Sequence, residues 1–539
     1  MNIDAPQNLT ADAPTVTELL LFSALSLFLV AWLNTSLIHM PPVWDAASGV
    51  FAPAIYLYET GFDFKALLSE PGYLSGGSHV HSLSLVTLLT AVVFWLTKGS
   101  KFSIPVLHGV QFLFTTVALT ATYRLARLSC GRFTGGLLAL MVLVFPVFRV
   151  QTGYLYTEIL GAALVLLTLY AWVRQKHCWA IFFVFLACAD KSLGLPIAGA
   201  LAVVIAIDAK LPMTMRVRYS AVLIILVGLL EYGKWTLQPM NNTTIERHLS
   251  SLDVFFYRLI MTPDLIVLIC IALLWVLFLF SEIGKQDKLI LRELSEHTQR
   301  GERERVSVGL ALFVCAFLMF FLMASQYVKI FIPLVRYYVW ILPLLLLILM
   351  EAIQSTIAWA SRILGKKPSV RAYLVARNSV LIASVVLSLY NSDGNLYPNI
   401  DGKRKFSIAE RSLEYLKYYD VQRYGVESVA GHDQGLPVFV TRGEYYFLSS
   451  PLMGYVPTRI KDLRLILQPP YDAARLRDYP SDFMLLDSFS NSFHGQTSLM
   501  TILREARGNN RYEVMTVDSH ANGPYMTTLY RIMAKQGDR

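Results

Sequence analysis

Charged residues are scarce in this sequence of 539 residues. They make up 16% of the chain, whereas hydrophobic residues make up 55%. Soluble globular domains carry about 25% charged residues, so this composition excludes an ordinary soluble protein and favours a membrane protein. Apolar runs of membrane-crossing length recur from Glu18 to Tyr390, and the remaining residues have the mixed composition of a soluble domain.

Cysteine and N-terminal basic residues are also lacking. All five cysteines lie in or beside apolar segments, which excludes disulfides in the long loops and in the C-terminal region. The first sixteen residues contain no Lys or Arg, so the run that starts at Glu18 is predicted to be a retained first span and not a cleaved signal peptide. The net charge of +9 comes from short basic loops that act as orientation signals, so no nucleic-acid partner is predicted.

The apolar runs predict a multi-pass α-helical membrane protein with about eleven transmembrane helices. We expect a transmembrane catalytic domain over residues 1–390 and an outer-facing soluble α/β domain over residues 391–539. The predicted spans are 18–40, 104–124, 133–149, 156–173, 178–189, 192–207, 219–236, 263–281, 306–326, 330–351 and 373–390.

The apolar stretch from Leu83 to Thr97 needs a separate decision. If it crossed the membrane, every later basic cluster would face outside, against the positive-inside rule. We therefore predict an interfacial segment within one long first outer loop, residues 41–103. Loop 41–103 and the C-terminal region are then both outside, as expected for a bacterial inner membrane protein.

The C-terminal region contains short apolar segments that are predicted to be β-strands, and the pattern predicts an α/β domain. The region has no phosphate-loop or nucleophile-elbow motif. The predicted strands are 437–440, 483–486, 512–517 and 526–530.

Four ionisable residues lie where the membrane should contain none, and such residues mark functional positions. Asp45 follows the first span, Glu158 begins the fourth, Lys191 separates the fifth from the sixth, and Arg336 lies about two turns inside the tenth. All four are predicted near the outer face. We therefore expect one shared outer cavity.

The chemistry of these residues is complementary. A carboxylate can take the proton from an acceptor hydroxyl or amine, and cations can stabilise a phosphate that leaves. Asp45 has the chemistry of the general base. Glu158 would be a second carboxylate that positions the acceptor or holds a cation, and Lys191 and Arg336 would bind the phosphate. His79 and His81, in a glycine-rich run of the first outer loop, would contact the phosphate or a metal.

Each residue also has a structural interpretation. Asp45 could be an interfacial acid, Glu158 could favour the positive end of a helix, Lys191 could reach the headgroups, and Arg336 could anchor an aromatic belt. The two histidines could be solvated, and a divalent cation at Asp45 and Glu158 is left open because the spacing does not require one.

Together these residues resemble the GT-C superfamily of glycosyltransferases, particularly the branch of protein O-mannosyltransferases and lipid A aminoarabinose transferases. Asp45 matches the acid of the family's first outer loop, and His79 or His81 matches its loop histidine, although the two prolines that follow in the family are absent here. Glu158, twelve positions after Pro146, matches the second acid, which is commonly Asp. The remaining matches are the basic turn Arg124, Arg127 and Arg132, the Lys191 break before Pro196, and Arg336-Tyr337 ahead of Pro343.

The resemblance implies a glycosyltransferase that takes a monosaccharide from a polyprenyl-phosphate carrier. It implies that Lys191, Arg336, Tyr337 and one loop histidine surround the lipid phosphate. The acceptor would be a lipid, a glycan or a protein, and the sequence does not choose among these or name the sugar. A transporter or flippase for a lipid-linked glycan, and a non-catalytic member of the family, are the alternatives.

Overall fold

The fold is described from a computed structural model. The described residues are 15–40, 42, 46–69, 84–100, 102–208, 211–237, 263–280, 300–323, 335–363, 370–391, 415–432, 435–440, 450–453, 456, 463–465, 482–490, 512–523 and 525–535.

Helices dominate the first 391 residues. In chain order they are α1 (Val16–Leu33), α2 (Ala52–Glu59), α3 (Phe64–Ser69), α4 (Leu85–Leu96), α5 (Ser103–Cys130), α6 (Arg132–Val144), α7 (Pro146–Gly153), α8 (Glu158–Val173), α9 (His177–Asp190), α10 (Leu195–Ile207), α11 (Met213–Leu237), α12 (Pro263–Phe280), α13 (Arg300–Met323), α14 (Leu342–Ile363) and α15 (Val370–Asn391).

Among the described residues, three helices are long and apolar enough to cross a membrane: Val16–Leu33, Ser103–Cys130 and Met213–Lys234. Helices α6 and α7 pass the same criterion together, although they bend by 67°. The bend falls at Pro146, which cannot continue the hydrogen-bond ladder of α6. Several further apolar helices are shorter, so the number of eleven spans stays a prediction.

Ion pairs connect neighbouring helices at the ends that are predicted to face the inner side of the membrane. Glu18 near the start of α1 contacts both Arg127 and Tyr123 of α5. Arg305 of α13 donates to Asp208 at the end of α10, with an N to O distance of 2.9 Å. Both arginines are buried, and each is paired with a carboxylate that compensates its charge.

The C-terminal residues form helix α16 (Tyr415–Gly431) and a sheet of five strands. The strands are β1 (Val438–Val440), β2 (Leu463–Leu465), β3 (Asp482–Ser490), β4 (Tyr512–Asn522) and β5 (Tyr525–Ala534), in the spatial order β2-β1-β3-β5-β4. Strand β1 is parallel to β2 and β3, whereas β5 is antiparallel to β3 and β4. The four predicted strands coincide with β1, β3, β4 and β5.

The chain forms two compact units. The helical unit comprises Met1–Thr35, Val110–Gly153 and Thr157–Tyr397, and the loop–tail unit comprises Ser36–Gly109, Tyr154–Tyr156 and Pro398–Arg539. The structure thus groups the first outer loop with the C-terminal region. The boundary predicted between residues 390 and 391 separates the chain by sequence and does not describe this grouping.

Gly99 marks where the loop and the C-terminal region meet. A Cβ built on Gly99 would overlap Leu452 Cδ2 and would lie 3.1 Å from the hydroxyl oxygen of Tyr58. Gly99 also has a φ of +61°, a conformation that glycine adopts readily and other residues do not. Both requirements explain why glycine occupies this position.

The same contact bears on the apolar stretch from Leu83 to Thr97. Tyr58 precedes α4 and Gly99 follows it, yet the two residues are in contact. Helix α4 packs on α2, and its 12 residues rise only about 18 Å, less than a bilayer core of about 30 Å. The interfacial placement of this stretch stays a prediction.

We expect Gly99→Ala to lower the apparent unfolding temperature of the purified protein more than Gly61→Ala does. Gly61 also has a positive φ, +67°, but a Cβ there would meet nothing within 4 Å. Both variants therefore bear the backbone strain of about 1 kcal/mol, and only Gly99→Ala adds the overlap with Leu452. Equal losses, measured by intrinsic fluorescence in detergent, would show that the loop and the C-terminal region do not meet at Gly99.

Candidate phosphate-binding site

Glu158 is the first residue of α8 and is completely buried, with 0% of its surface exposed. The preceding Thr157 donates its hydroxyl hydrogen to Glu158 Oε2 at 2.8 Å. A carboxylate is favoured at this position because the first N–H groups of a helix point towards it. The structure therefore places Glu158 at the helix end where the structural interpretation expects it.

Lys191 lies in a break between α9 and α10. Its backbone is extended, with φ −155° and ψ 145°, and a short 3-10 helix, Ser192–Gly194, follows it. A Cβ on Gly194 would lie 2.5 Å from the backbone nitrogen of Cys188, so glycine allows the chain to fold back onto α9. The break directs the Lys191 ammonium to Glu158 Oε1 at 2.8 Å.

Arg336 lies in a 3-10 helix, Val335–Trp340, and not two turns inside a continuous span as predicted. Helix α14 begins only at Leu342. The physical reason is Pro343, whose missing N–H is tolerated in the first turn of a helix but not in its interior. The apolar run therefore predicts an α-helix here but not the position where it begins, and the membrane span 330–351 stays a prediction.

Three side chains thus converge on one carboxylate. Arg336 Nε lies 3.6 Å from Glu158 Oε1, the same oxygen that contacts Lys191. Arg336 is 3% exposed and Lys191 is 7% exposed. These residues, Glu158, Lys191 and Arg336, form a triad of one carboxylate and two cationic side chains.

Tyr337 supports both cations with its ring. The Lys191 ammonium lies 4.5 Å from the ring centroid, and the Arg336 guanidinium carbon lies 5.5 Å from it. Cation–π contacts of this kind replace part of the hydration that buried cations lose. The residue predicted to accompany the phosphate clamp is therefore in contact with both of its members.

Gly161 permits the 3-10 helix to approach α8 closely. A Cβ on Gly161 would overlap the ring of Trp340, and Trp340 is fully buried. Gly161 lies three residues after Glu158, on the same side of α8. The close approach of the two elements at Gly161 brings Arg336 within reach of Glu158.

A second ion pair lies beside the Lys191 break. Glu231 and Lys234 of α11 are paired at 2.9 Å, and their side chains are 26% and 30% exposed. Lys234 donates to the carbonyl oxygen of Cys188, and Ser192 donates to Glu231 Oε2 at 3.5 Å. Sequence reasoning missed this pair, although both residues are ionisable and belong to a predicted span, 219–236.

Asp45, His79 and His81 lie outside the described residues, so their predicted roles stay predictions. Within the described ranges, no group of three or more His, Cys, Asp or Glu residues could hold a metal ion. Glu158 is also poorly suited to a divalent cation, because two cationic side chains already contact one of its oxygens and Thr157 contacts the other.

The fold was compared with known structures. The crystal structure of ArnT from Cupriavidus metallidurans bound to undecaprenyl phosphate aligns with a TM-score of 0.50, covering 96% of this chain and 98% of that chain at 12% identity. The chain has the GT-C fold. The resemblance to GT-C proteins is thereby confirmed at the level of the fold.

Two further structures are similar to this chain. ArnT from the same organism in the apo state gives a TM-score of 0.48 at 12% identity, covering 95% of this chain and 97% of that chain. The Archaeoglobus fulgidus oligosaccharyltransferase in complex with Zn and sulfate gives 0.41 at 13% identity, covering 83% of this chain and 62% of that chain. No protein-family model and no curated protein matches the sequence.

We expect Gly161→Ala to lower the apparent unfolding temperature of the protein, because a methyl group would overlap Trp340. The matched control is Gly199→Ala in α10, where a Cβ would meet nothing within 4 Å. That control should be neutral or stabilising, since alanine is favoured over glycine in a helix by about 1 kcal/mol. A Gly161→Ala variant as stable as its control would exclude the close approach.

Glu158→Gln is expected to destabilise the protein far more than Glu231→Gln. Removing one partner of a buried ion pair leaves an uncompensated charge and costs about 3–5 kcal/mol, whereas a partly exposed pair contributes about 0.2–1 kcal/mol. The two Lys–Glu pairs have nearly equal lengths, 2.8 and 2.9 Å, so burial is the main variable. Thermal unfolding in detergent measures the difference, and similar losses would contradict the assigned burial of the triad.

Proposed function

We propose that this protein is a membrane glycosyltransferase that takes a monosaccharide from a polyprenyl-phosphate carrier. The observation that carries the proposal is the convergence of two buried cations, Lys191 and Arg336, on one carboxylate oxygen. Two cationic side chains held close together are suited to bind a phosphate group through charge-assisted hydrogen bonds. Lys191 and Arg336 are the residues that would bind it.

The triad suits the chemistry of the departing phosphate. When the bond between the anomeric carbon and the phosphate oxygen breaks, the bonding electrons stay on that oxygen, so negative charge grows there. Lys191 and Arg336 are held by Glu158 at 2.8 and 3.6 Å before any ligand arrives. Preorganised cations of this kind stabilise developing charge without further reorganisation.

Asp45 is the proposed general base. It takes the proton from an acceptor hydroxyl or amine while the acceptor attacks the anomeric carbon, with inversion, and polyprenyl phosphate is released. His79 or His81 is proposed to contact the phosphate together with Tyr337. The acceptor is a lipid, a glycan or a protein. No step in this scheme uses a metal ion.

Two observations support the carrier and the location. A solved structure with a similar fold is that of ArnT bound to undecaprenyl phosphate, which is a polyprenyl phosphate. The contact of Gly99 with Leu452 supports the proposal that the first outer loop and the C-terminal region lie on the same side of a membrane. We propose that this side is the outside of a bacterial inner membrane.

The test separates binding from transfer with two variants. Lys191→Met should weaken the binding of undecaprenyl phosphate by about 10- to 100-fold, the effect of losing one hydrogen bond to a charged group. Asp45→Asn should bind it like the wild type and yet release none from a sugar-bearing carrier. Binding is measured by native mass spectrometry, and release is measured in membranes of the source organism, so the acceptor need not be known.

The controls address folding and the alternative classes. Glu231→Gln serves as the folding control for binding, because its ion pair lies outside the triad. Wild-type protein that binds no undecaprenyl phosphate, or a Lys191→Met variant that binds it equally well, would sink the phosphate site. Release at the wild-type rate by Asp45→Asn would remove Asp45 as the base, and a flippase or a non-catalytic protein would release no undecaprenyl phosphate at all.

A further inference from the structure

Gln151 of α7 has a buried side-chain oxygen that accepts no hydrogen bond from the described residues. The residue is 1% exposed, and its side-chain carbonyl oxygen has no hydrogen-bond partner among the described residues. Buried polar groups are nearly always paired, and an unmade hydrogen bond of this kind destabilises the protein. The exception needs a physical reason.

The polar residues around Gln151 are engaged with one another. The Gln111 side-chain amide donates to the backbone oxygen of Gln151 at 3.1 Å. Thr152 donates its hydroxyl hydrogen to the side-chain oxygen of Asn34 at 3.1 Å, and the Asn34 amide donates to the carbonyl of Val30 at 2.8 Å. These donors have other partners, and within the described part of the chain none is directed to the side-chain oxygen of Gln151.

Helix α7 lies next to the triad in the chain and in the fold. It ends at Gly153, five residues before Glu158, and it packs against both α8 and the 3-10 helix Val335–Trp340. These are the elements that carry Glu158 and Arg336. Gln151 therefore presents a neutral acceptor on an element that adjoins the proposed phosphate site.

We propose that Gln151 binds a hydroxyl group of the sugar on the polyprenyl-phosphate carrier, an inference that rests on the proposed function. The side-chain oxygen of Gln151 is a hydrogen-bond acceptor, so its ligand must be a hydrogen-bond donor. The phosphate is anionic and the prenyl chain is a hydrocarbon, whereas the sugar carries O–H donors. Gln151 is thus a specificity-determining residue for the sugar, and the triad binds the phosphate whatever sugar it carries.

The experiment compares two affinities for each protein. One is for undecaprenyl phosphate, and the other is for the best-bound member of a panel in which the same lipid carries glucose, mannose, galactose or aminoarabinose. In the wild type, the sugar should tighten binding. Gln151→Met keeps the size of the side chain and removes the acceptor, so the preference for the sugar-bearing lipid should fall by about 3- to 10-fold, the effect of one neutral hydrogen bond. The affinity for undecaprenyl phosphate itself should stay within about twofold.

Gln354→Met is the matched control. Gln354 is also buried, and it contacts Ser129 and Cys130 in the last turn of α5. Gln111, which contacts Gln151, lies 18 residues before Ser129 in α5. The positions at which Gln151 and Gln354 contact α5 are therefore about 27 Å apart along the helix. This variant should keep both affinities, so a general effect of removing a buried amide would be visible in it.

The outcomes separate the two proposals. A Gln151→Met variant that keeps the wild-type preference, or that loses both affinities together, overturns the assignment of Gln151. A wild type that binds no sugar-bearing lipid more tightly than undecaprenyl phosphate also overturns it, and the phosphate site survives. Failure of the wild type to bind undecaprenyl phosphate overturns the proposed function and the inference with it.

Discussion

Two buried cations of the helical unit share one carboxylate, and the arrangement of the triad depends on this contact. Glu158 contacts Lys191 and Arg336 through the same oxygen, and its loss would remove a counter-charge that both buried cations share. The position of Glu158 at the first residue of α8 adds the favourable field of the helix N-terminus. The contacts that hold the two cations together are therefore also the contacts on which the proposed phosphate site depends.

The geometry of the triad depends on two glycines more than on the charges themselves. Gly161 lets the indole of Trp340 lie against α8, and Gly194 lets the chain fold back on Cys188. One close approach positions the element that carries Arg336, and the other positions the break that carries Lys191. Because both approaches are fixed by packing, the cations are held in place without a ligand. Such preorganisation is what stabilisation of a leaving phosphate requires.

The sequence predicts the chemistry of the site better than its backbone. Glu158, Lys191 and Arg336 were identified because ionisable residues are costly in apolar segments, and the structure brings all three together. The 3-10 helix around Arg336 was missed because hydropathy reports the length of an apolar run and not the residue at which its α-helix begins. Gly161 and Gln151 carry no signal of their own in the sequence, since the Trp340 contact and the unfilled acceptor arise only in the packed fold. Asp45, His79 and His81 stay predictions.

The contact between Gly99 and Leu452 also constrains the topology of the whole chain. Because the two residues touch, the chain between them must cross the membrane an even number of times. The predicted spans from 104–124 to 373–390 number ten, which satisfies this condition. Counting the short helices α9 and α10 on either side of Lys191 as one span would leave nine, an odd number, which this condition does not allow. Since those two helices flank the break that positions Lys191, counting them as one span would move this residue from a membrane face to the interior of the bilayer. The ion pair with Glu158 at the very start of α8 places Lys191 level with a helix end, and this favours two separate crossings.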